Sequence, residues 1–133
     1  MNQVRAEQIR RVFARIHGPA FDADTELSTG IEVEVIDAGI ALDTPTFILL
    51  TPWTVNGLAL PPDRSFPVAI EIDGATHPVY SIERSRLGPY RAVNLAPLGS
   101  HFPSAVHAHH FAERAAPRFR RAVAEARALR SLV

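Results

Sequence analysis

The sequence predicts an α+β protein: a single antiparallel β-sheet with an N-terminal helix and a longer C-terminal helix packed on one face. Three features indicate this architecture. Apolar residues recur at helical spacing only near the two ends of the chain. The middle of the chain instead carries short apolar runs separated by glycine, proline, aspartate and asparagine. The length of 133 residues suits one core. We therefore expect residues 1–133 to form one domain.

Residues 4–16 are typical of an amphipathic helix, because apolar side chains recur on one stripe while most of the arginines fall elsewhere. The stripe consists of Ile9, Val12, Phe13 and Ile16. Gly18 occupies the position of a C-terminal cap, and Pro19 lacks the N–H of the next helical hydrogen bond, so we expect the helix to end there. Residues 21–30 are acidic and polar, which predicts a loop.

The strands begin at residues 31–36, where apolar and acidic side chains alternate as in a strand with one buried face. Residues 38–45 hold two turn signals, Ala-Gly and Asp-Thr-Pro, with room for a short strand between them. Residues 47–50, Phe-Ile-Leu-Leu, form an unbroken apolar run, which is typical of a strand covered on both faces. Asn56–Gly57 favours a turn before a second run at 58–60.

A hairpin is predicted at Asp73–Gly74, between strands at 66–72 and 78–82. Residues 84–89 are expected to form the next turn. The strand at 90–95 alternates, so its side chains should divide between two faces. Tyr90, Ala92 and Asn94 would face one side, and Arg91, Val93 and Leu95 the other.

The last third of the chain is predicted to be helical, with Ser104 as its N-cap. Its apolar residues recur every three or four positions in a continuous seam. The seam comprises Phe111, Ala115, Phe119, Ala122, Ala126, Leu129 and Val133. Pro117 lies inside this pattern, so we expect it to kink the helix or to divide it in two.

Composition excludes several kinds of chemistry. The chain has no cysteine, and all 14 basic residues are arginine. Disulfides, thiol catalysis, cysteine-ligated zinc and lysine Schiff bases are therefore excluded. No apolar run reaches the roughly 18–20 residues of a membrane span, and the N-terminus lacks the pattern of a secretory signal. These observations predict a cytoplasmic protein without membrane insertion.

Charge is unevenly distributed along the chain, although the net formal charge is zero. Residues 17–63 contain carboxylates and no arginine, whereas residues 114–130 are rich in arginine. We interpret the two regions as facing each other or as solvated surface. Nucleic-acid binding is not expected, because the protein as a whole is neutral.

The histidines are the candidate metal ligands in this sequence. His107 and His110 are three residues apart and share a helix face, with Glu113 one turn further on. We interpret them as solvated and expect no resident cofactor, with a nickel- or zinc-handling module as the alternative. The sequence has no Gly-x-Ser-x-Gly elbow and no glycine-rich phosphate loop, so we predict no catalytic residues and no enzyme. A small-ligand-binding α+β domain is the other alternative.

The strongest candidate for a binding site lies at residues 51–56. Pro52 cannot donate a ladder hydrogen bond, so it stiffens a strand end beside Trp53, the only tryptophan. A rigid indole with one N–H suits a protein-binding hot spot, although a lone tryptophan beside an apolar strand also suits a core. Asn56 is either a turn former or a donor to an extended segment.

This corner resembles the HybE-type accessory chaperones of nickel–iron hydrogenase maturation. The resemblance rests first on Leu49-Leu50-Thr51-Pro52-Trp53, Asn56 and Pro61. Further along the chain it rests on Gly88-Pro89-Tyr90 and Asn94-Leu95-Ala96-Pro97-Leu98, and the N-terminal Phe13-Ala14-Arg15-Ile16 is also similar. The protein-binding residues that the resemblance implies are Thr51, Pro52, Trp53, Asn56, Leu58, Pro61, Tyr90 and Pro97.

The resemblance implies a cytoplasmic, non-catalytic chaperone. Its client would be the large- or small-subunit precursor of a hydrogenase, or of a related redox metalloenzyme, held before twin-arginine export. The client segment would add as a strand beside Trp53 or lie in a groove under the C-terminal helix. We expect the acidic region, including Glu32, Glu34 and Asp37, to attract an arginine-rich leader. The sequence does not specify a homo-oligomeric state.

Overall fold

The computed structural model describes residues 2–23, 33–51, 54–63, 65–84, 86–96 and 105–131. These residues form an α+β arrangement, which confirms the predicted class. The helices are α1 (Asn2–Ala23) and α2 (Ala105–Ser131). The strands are β1 (Glu34–Ala41), β2 (Thr44–Leu50), β3 (Val55–Ala59), β4 (Ala69–Ile72), β5 (Ala75–Pro78), β6 (Tyr80–Arg84) and β7 (Gly88–Asn94).

Five strands form one antiparallel sheet in the order β1–β2–β3–β7–β6, while β4 and β5 form a separate two-stranded sheet. In this order β2, β3 and β7 are interior strands, and β1 and β6 are the two edges. The predicted turn at Ala38–Gly39 lies instead within β1, where the register with β2 shifts between Asp37 and Gly39. Ala38 has no partner in this register, which is typical of a β-bulge, and the neighbouring Gly39 has a φ of 92°, a backbone conformation that favours glycine.

The two helices cover opposite faces of the sheet, so the prediction that both pack on one face is wrong. Phe47 and Leu49 of β2 join a core cluster with Phe13 of α1. Ile48 and Leu50 join a second cluster with the alanines of α2. Successive side chains of a strand point to opposite faces, so the apolar run of β2 is covered on both, as predicted. A strand of this kind needs a helix on each side.

Strand β7 confirms the predicted alternation. Tyr90 and Ala92 belong to the cluster under α1, whereas Val93 and the following Leu95 pack in the cluster under α2. The turn before β7 lies within the predicted residues 84–89, where Leu87 N–H donates to the carbonyl of Arg84 at 3.1 Å. The position of each side chain in this strand therefore follows from the two-residue period alone.

Helix α1 is longer than predicted, because it continues through Gly18 and Pro19 to Ala23. A proline inside a helix lacks the N–H that would bond to the carbonyl four residues earlier and crowds that carbonyl, which can kink a helix without ending it. The helix therefore loses one hydrogen bond at Pro19 without ending. The acidic loop predicted at 21–30 accordingly cannot begin before residue 24, and residues 24–30 lie outside the described part of the chain.

The hairpin predictions have mixed outcomes. Asp73–Gly74 joins β4 to β5 with φ angles of 51° and 83°, which confirms a two-residue turn with both residues at positive φ. Asn56–Gly57 does not form a turn, because both residues lie inside β3, opposite Leu49 and Ile48. The turn between β2 and β3 lies at residues 51–54, where Thr51 N–H donates to the carbonyl of Thr54 at 2.9 Å.

Helix α2 continues through Pro117 and is not divided there. Pro117 lies on the exposed side of the helix. The side that faces the sheet is lined mainly by small residues, which allow the helix to approach closely. Its buried apolar members are Ala108, Ala112, Ala115, Ala116, Phe119, Ala122 and Val123. Leu129 is 66% exposed, so the predicted seam does not extend that far. Ser104 and Val133 lie outside the described residues.

Candidate functional site

The turn between β2 and β3 is held by hydroxyl and amide groups. Thr51 Oγ1 accepts a hydrogen bond from Thr54 N–H at 3.0 Å, and the two hydroxyl oxygens lie 3.1 Å apart. Asn56 Nδ2 donates to Thr54 Oγ1 at 3.2 Å. Because Thr51 is buried, its side chain holds the turn together from inside. Asn56 supports the turn from the adjacent strand, not from a position within it.

Pro52, Trp53 and Pro97 lie outside the described residues, but the strands on either side of Trp53 are described. Strand β2 pairs with β1 and β3, and β3 pairs with β2 and β7. Both strands therefore have partners on each side. An additional strand needs unpaired backbone groups at a sheet edge. Within the described residues, neither β2 nor β3 therefore has a free edge to which a client strand could add at this corner.

Leu58 and Tyr90 are core residues, since each is 2% exposed in the cluster under α1. The Tyr90 hydroxyl accepts a hydrogen bond from Arg84 Nε at 2.9 Å, and its ring meets Phe13 edge-on with 6.4 Å between centroids. Neither side chain is accessible to a partner, which corrects their expected role in binding. Pro61, just after β3, is half-buried.

His109, between the two predicted metal ligands, links β1 to α2. Its Nδ1 lies 2.9 Å from Glu34 Oε2 and its Nε2 lies 2.6 Å from Glu113 Oε1. A carboxylate at each ring nitrogen favours the doubly protonated imidazolium. The hydrogen bond to Glu34, together with the charges of both carboxylates, raises the pKa of His109 above its ordinary value of 6.5. Glu113 is therefore engaged with His109, not held for His107 and His110.

No group of three or more histidine, aspartate or glutamate side chains within the described residues is arranged to hold a metal ion. His107 and His110 are both exposed on α2. The nickel- or zinc-handling alternative therefore gains no geometric support in this part of the chain.

The acidic and basic regions of the sequence meet at Arg127, as one of the two interpretations of the charge pattern predicts. Its guanidinium is buried and bonds to Asp43 through Nε at 2.9 Å and Nη2 at 2.6 Å. Nη1 donates to Asp63 Oδ1 at 2.9 Å and to the carbonyl of Ser65. The hydrogen bonds from Arg127 lower the pKa of Asp43 to about 2 and also lower the pKa of Asp63. This cluster fixes the β1–β2 turn and the loop before β4 to the end of α2.

Two of the three carboxylates expected to attract an arginine-rich leader, Glu34 and Asp37, are already engaged within the protein. Glu34 is bonded to His109, and Asp37 Oδ1 accepts a hydrogen bond from Gly39 N–H at 2.8 Å. Glu32 lies outside the described residues. The described part of the acidic region is therefore used largely for internal contacts.

An apolar groove of about 720 Å³ lies between β4 and the C-terminal half of α2. One wall consists of Pro67, Ala69, Ile70 and Glu71, and the other of Ala122, Glu125, Ala126 and Leu129. This volume is within the usual range for ligand sites, roughly 300–1,000 Å³. A second depression, along α1, is lined almost entirely by that helix, so it is the outer surface of one element. We therefore take the groove as the candidate site, and call it the β4–α2 groove.

The β4–α2 groove is acidic. Glu71 and Glu125 are the charged residues in its described lining, and both are exposed. Neither makes a hydrogen bond or ion pair with any described residue. Leu129, in the lining, is also strongly exposed, with 66% of its surface accessible. The groove thus combines apolar surface with two unpaired carboxylates.

The groove and the predicted corner lie at opposite ends of α2. Glu34 is opposite Leu50 in the sheet, next to the β2–β3 turn, and it contacts His109 near the start of α2. Asp43, at the other end of β1 and β2, contacts Arg127 near the end of α2. On α2 the groove is lined by Ala122 and later residues, so it is remote from the β2–β3 turn.

Comparison with known proteins finds no matching family model, no similar curated protein and no similar solved structure. Within the described residues, neither helix combines the length and hydrophobicity that crossing a bilayer requires.

Proposed function

We propose that this protein is a cytoplasmic, non-catalytic accessory chaperone. It binds the subunit precursor of a hydrogenase, or of a related redox metalloenzyme, during maturation and before twin-arginine export. The client class rests on the resemblance carried by residues 49–61 and 88–98. The binding site is the β4–α2 groove, where the client places one short segment.

The observation that carries this proposal is the apolar groove beneath the C-terminal helix. It has the size of a ligand site, and alanines lie on both of its walls. Leu129, which lines the groove, keeps 66% of its surface exposed and so offers apolar surface to a client. At the other expected place for a client segment, the β2–β3 turn, both described strands are already paired on each side, which favours the groove.

Calorimetric titration with purified large- and small-subunit precursors tests the proposal. Two exposed apolar residues of α2 provide a matched pair of variants: Leu129, 66% exposed, lines the groove, and Val106, 63% exposed, does not. We expect Leu129→Gln to weaken precursor binding about tenfold, because burying a leucine contributes about 1.5–3 kcal/mol. Val106→Gln should bind like the unmodified protein. Mature, cofactor-loaded subunits should bind weakly or not at all.

Trp53→Ala separates the groove from the corner. If Trp53→Ala abolishes precursor binding in a folded protein while Leu129→Gln has no effect, the client binds at the corner and the groove assignment is wrong. If Trp53→Ala instead lowers the free energy of unfolding by about 3–5 kcal/mol, Trp53 is a core residue. Failure of every hydrogenase precursor to bind would overturn the proposed client class.

A further inference from the structure

One edge of β4 carries unpaired backbone groups. In the described residues β4 pairs with β5 alone, in the register Ala69 opposite Pro78 and Ile70 opposite His77. The next pair in this register is Val68 with Val79, and Val79 N–H donates to the carbonyl of Val68 at 2.9 Å. Antiparallel ladders alternate bonded and non-bonded pairs. This bond therefore determines which residue pairs of the hairpin are hydrogen-bonded and which are not.

In this alternation the N–H and C=O groups of Ile70 and Ile72 point toward β5. Those of Ala69 and Glu71 point away from it. Pro78 agrees with this assignment, since it lies opposite Ala69 in a non-bonded pair, where the missing N–H of proline removes no bond to β4. Ala69 and Glu71 also line the β4–α2 groove. The free edge of β4 is therefore a wall of the groove.

Among the carboxylates whose side chains the structure describes, those without an internal partner are concentrated at this place. Most described carboxylates have an internal partner: Glu7, Glu34, Asp37, Asp43, Asp63, Asp73 and Glu113. Glu71, Glu83 and Glu125 make no such contact with any described residue. Two of these three line the groove, one on each wall. Glu83, on β6, does not.

We infer that the β4–α2 groove takes an extended, apolar segment of the client that carries arginine or lysine. This inference rests on the proposed function and names the chemistry of the segment. The segment adds as a strand to β4 through the N–H and C=O groups of Ala69 and Glu71. Its apolar side chains lie against Ala122 and Ala126, and its cations meet Glu71 and Glu125.

Three dye-labelled peptides of one leucine- and alanine-rich sequence test the inference by fluorescence anisotropy on the full chain. The first carries two arginines, the second has citrulline at both positions, and the third keeps the arginines but has alternate backbone amides N-methylated. Citrulline retains the shape of arginine without its charge, and N-methylation removes the donors of an added strand. We expect the arginine peptide to bind about tenfold more tightly than the citrulline peptide at low salt. We expect the N-methylated peptide not to bind.

Variants assign the effect to the two carboxylates. Glu71→Gln/Glu125→Gln should abolish the preference for arginine over citrulline, whereas Glu83→Gln, an exposed carboxylate outside the groove, should retain it. If both charged and neutral peptides bind alike and the double variant changes nothing, the inferred charge chemistry is wrong and the groove function stands. Equal binding of the N-methylated peptide would overturn strand addition. If no peptide binds and sedimentation reveals a dimer that Leu129→Gln dissociates, a second copy occupies the groove, and the inference and the proposed client site both fail.

Discussion

The ring of Phe119 in α2 lies directly against the α-carbon of Gly57 in β3. A β-carbon built on Gly57 would lie 2.5 Å from Phe119 Cε1 and 2.6 Å from Cζ, closer than unbonded carbon atoms approach. Phe119 is fully buried in the cluster between the sheet and α2. The missing side chain at position 57 therefore sets how closely α2 approaches the centre of the sheet. It also explains why Asn56–Gly57 lies in a strand despite its turn propensity.

Gly57→Ala should destabilise the protein by about 1–3 kcal/mol, because the added methyl group overpacks a filled core. Urea unfolding followed by circular dichroism measures the effect. The same substitution in a Phe119→Leu background should cost less, since the smaller side chain leaves room. Equal costs in the two backgrounds would show that the ring does not constrain position 57.

Arg127 joins two loops to α2. Replacing it should lower the free energy of unfolding by about 1–3 kcal/mol. The guanidinium is buried, with 7% of its side chain accessible, while Asp43 and Asp63 are more than half exposed and regain water when it is lost. Arg127→Met keeps most of the apolar stem. Arg127→Lys should recover little, because lysine cannot make the paired bonds to Asp43.

The control for Arg127 is Arg121→Met, which replaces an exposed arginine without a described partner on the same helix. Chemical denaturation should place this variant within about 0.5 kcal/mol of the unmodified protein. A similar loss in both variants would mean that the Asp43–Arg127–Asp63 cluster contributes nothing specific.

Acid should weaken the same cluster. The pKa of Asp43 lies near 2 in the folded protein against 3.8 ordinarily, and that of Asp63 is also lowered. A carboxyl whose pKa is depressed by folding stabilises the fold above its unfolded pKa, and this contribution is lost as pH falls through the folded value. The free energy of unfolding should therefore decline between pH 3.8 and about 2. In Arg127→Met this decline should be shallower; an unchanged pH profile would contradict the assignment.

Local patterns in the sequence predict most of the strands, but not how the layers are arranged. The alternation of β7 and the Asp73–Gly74 hairpin are both confirmed. Both could be predicted because they depend on neighbouring residues alone. The opposite placement of the helices is also implied by the apolar run of residues 47–50, because a strand covered on both faces needs a layer on each. The prediction that both helices pack on one face is inconsistent with this apolar run. By contrast, the role of Gly57 depends on a ring 62 residues later in the chain, which no local pattern predicts.

The candidate site was harder to predict, because it depends on how two distant segments meet. A groove under the C-terminal helix was one of two expected client positions, but its lining residues were not identified. The spacing of Ala122 and Ala126 indicates a helix face that leaves space, yet the same alanines also suit a tight core. Only the position of the β4–β5 hairpin against α2 distinguishes these two possibilities. The resemblance predicts that Leu58 and Tyr90 bind a partner, whereas their burial places them in the core.

His109 should make the stability of the protein depend on pH near neutrality. Glu34 from β1 and Glu113 from its own helix face its two nitrogens and raise its pKa above 6.5. A group whose pKa is raised by folding stabilises the fold below its unfolded pKa, and this contribution is lost as pH rises through the folded value. The free energy of unfolding should therefore decrease above pH 6.5, and an NMR titration of the ring should give a midpoint above that value. His109→Gln should remove the decrease and His110→Gln should keep it, so a midpoint at or below 6.5 would refute the double ion pair.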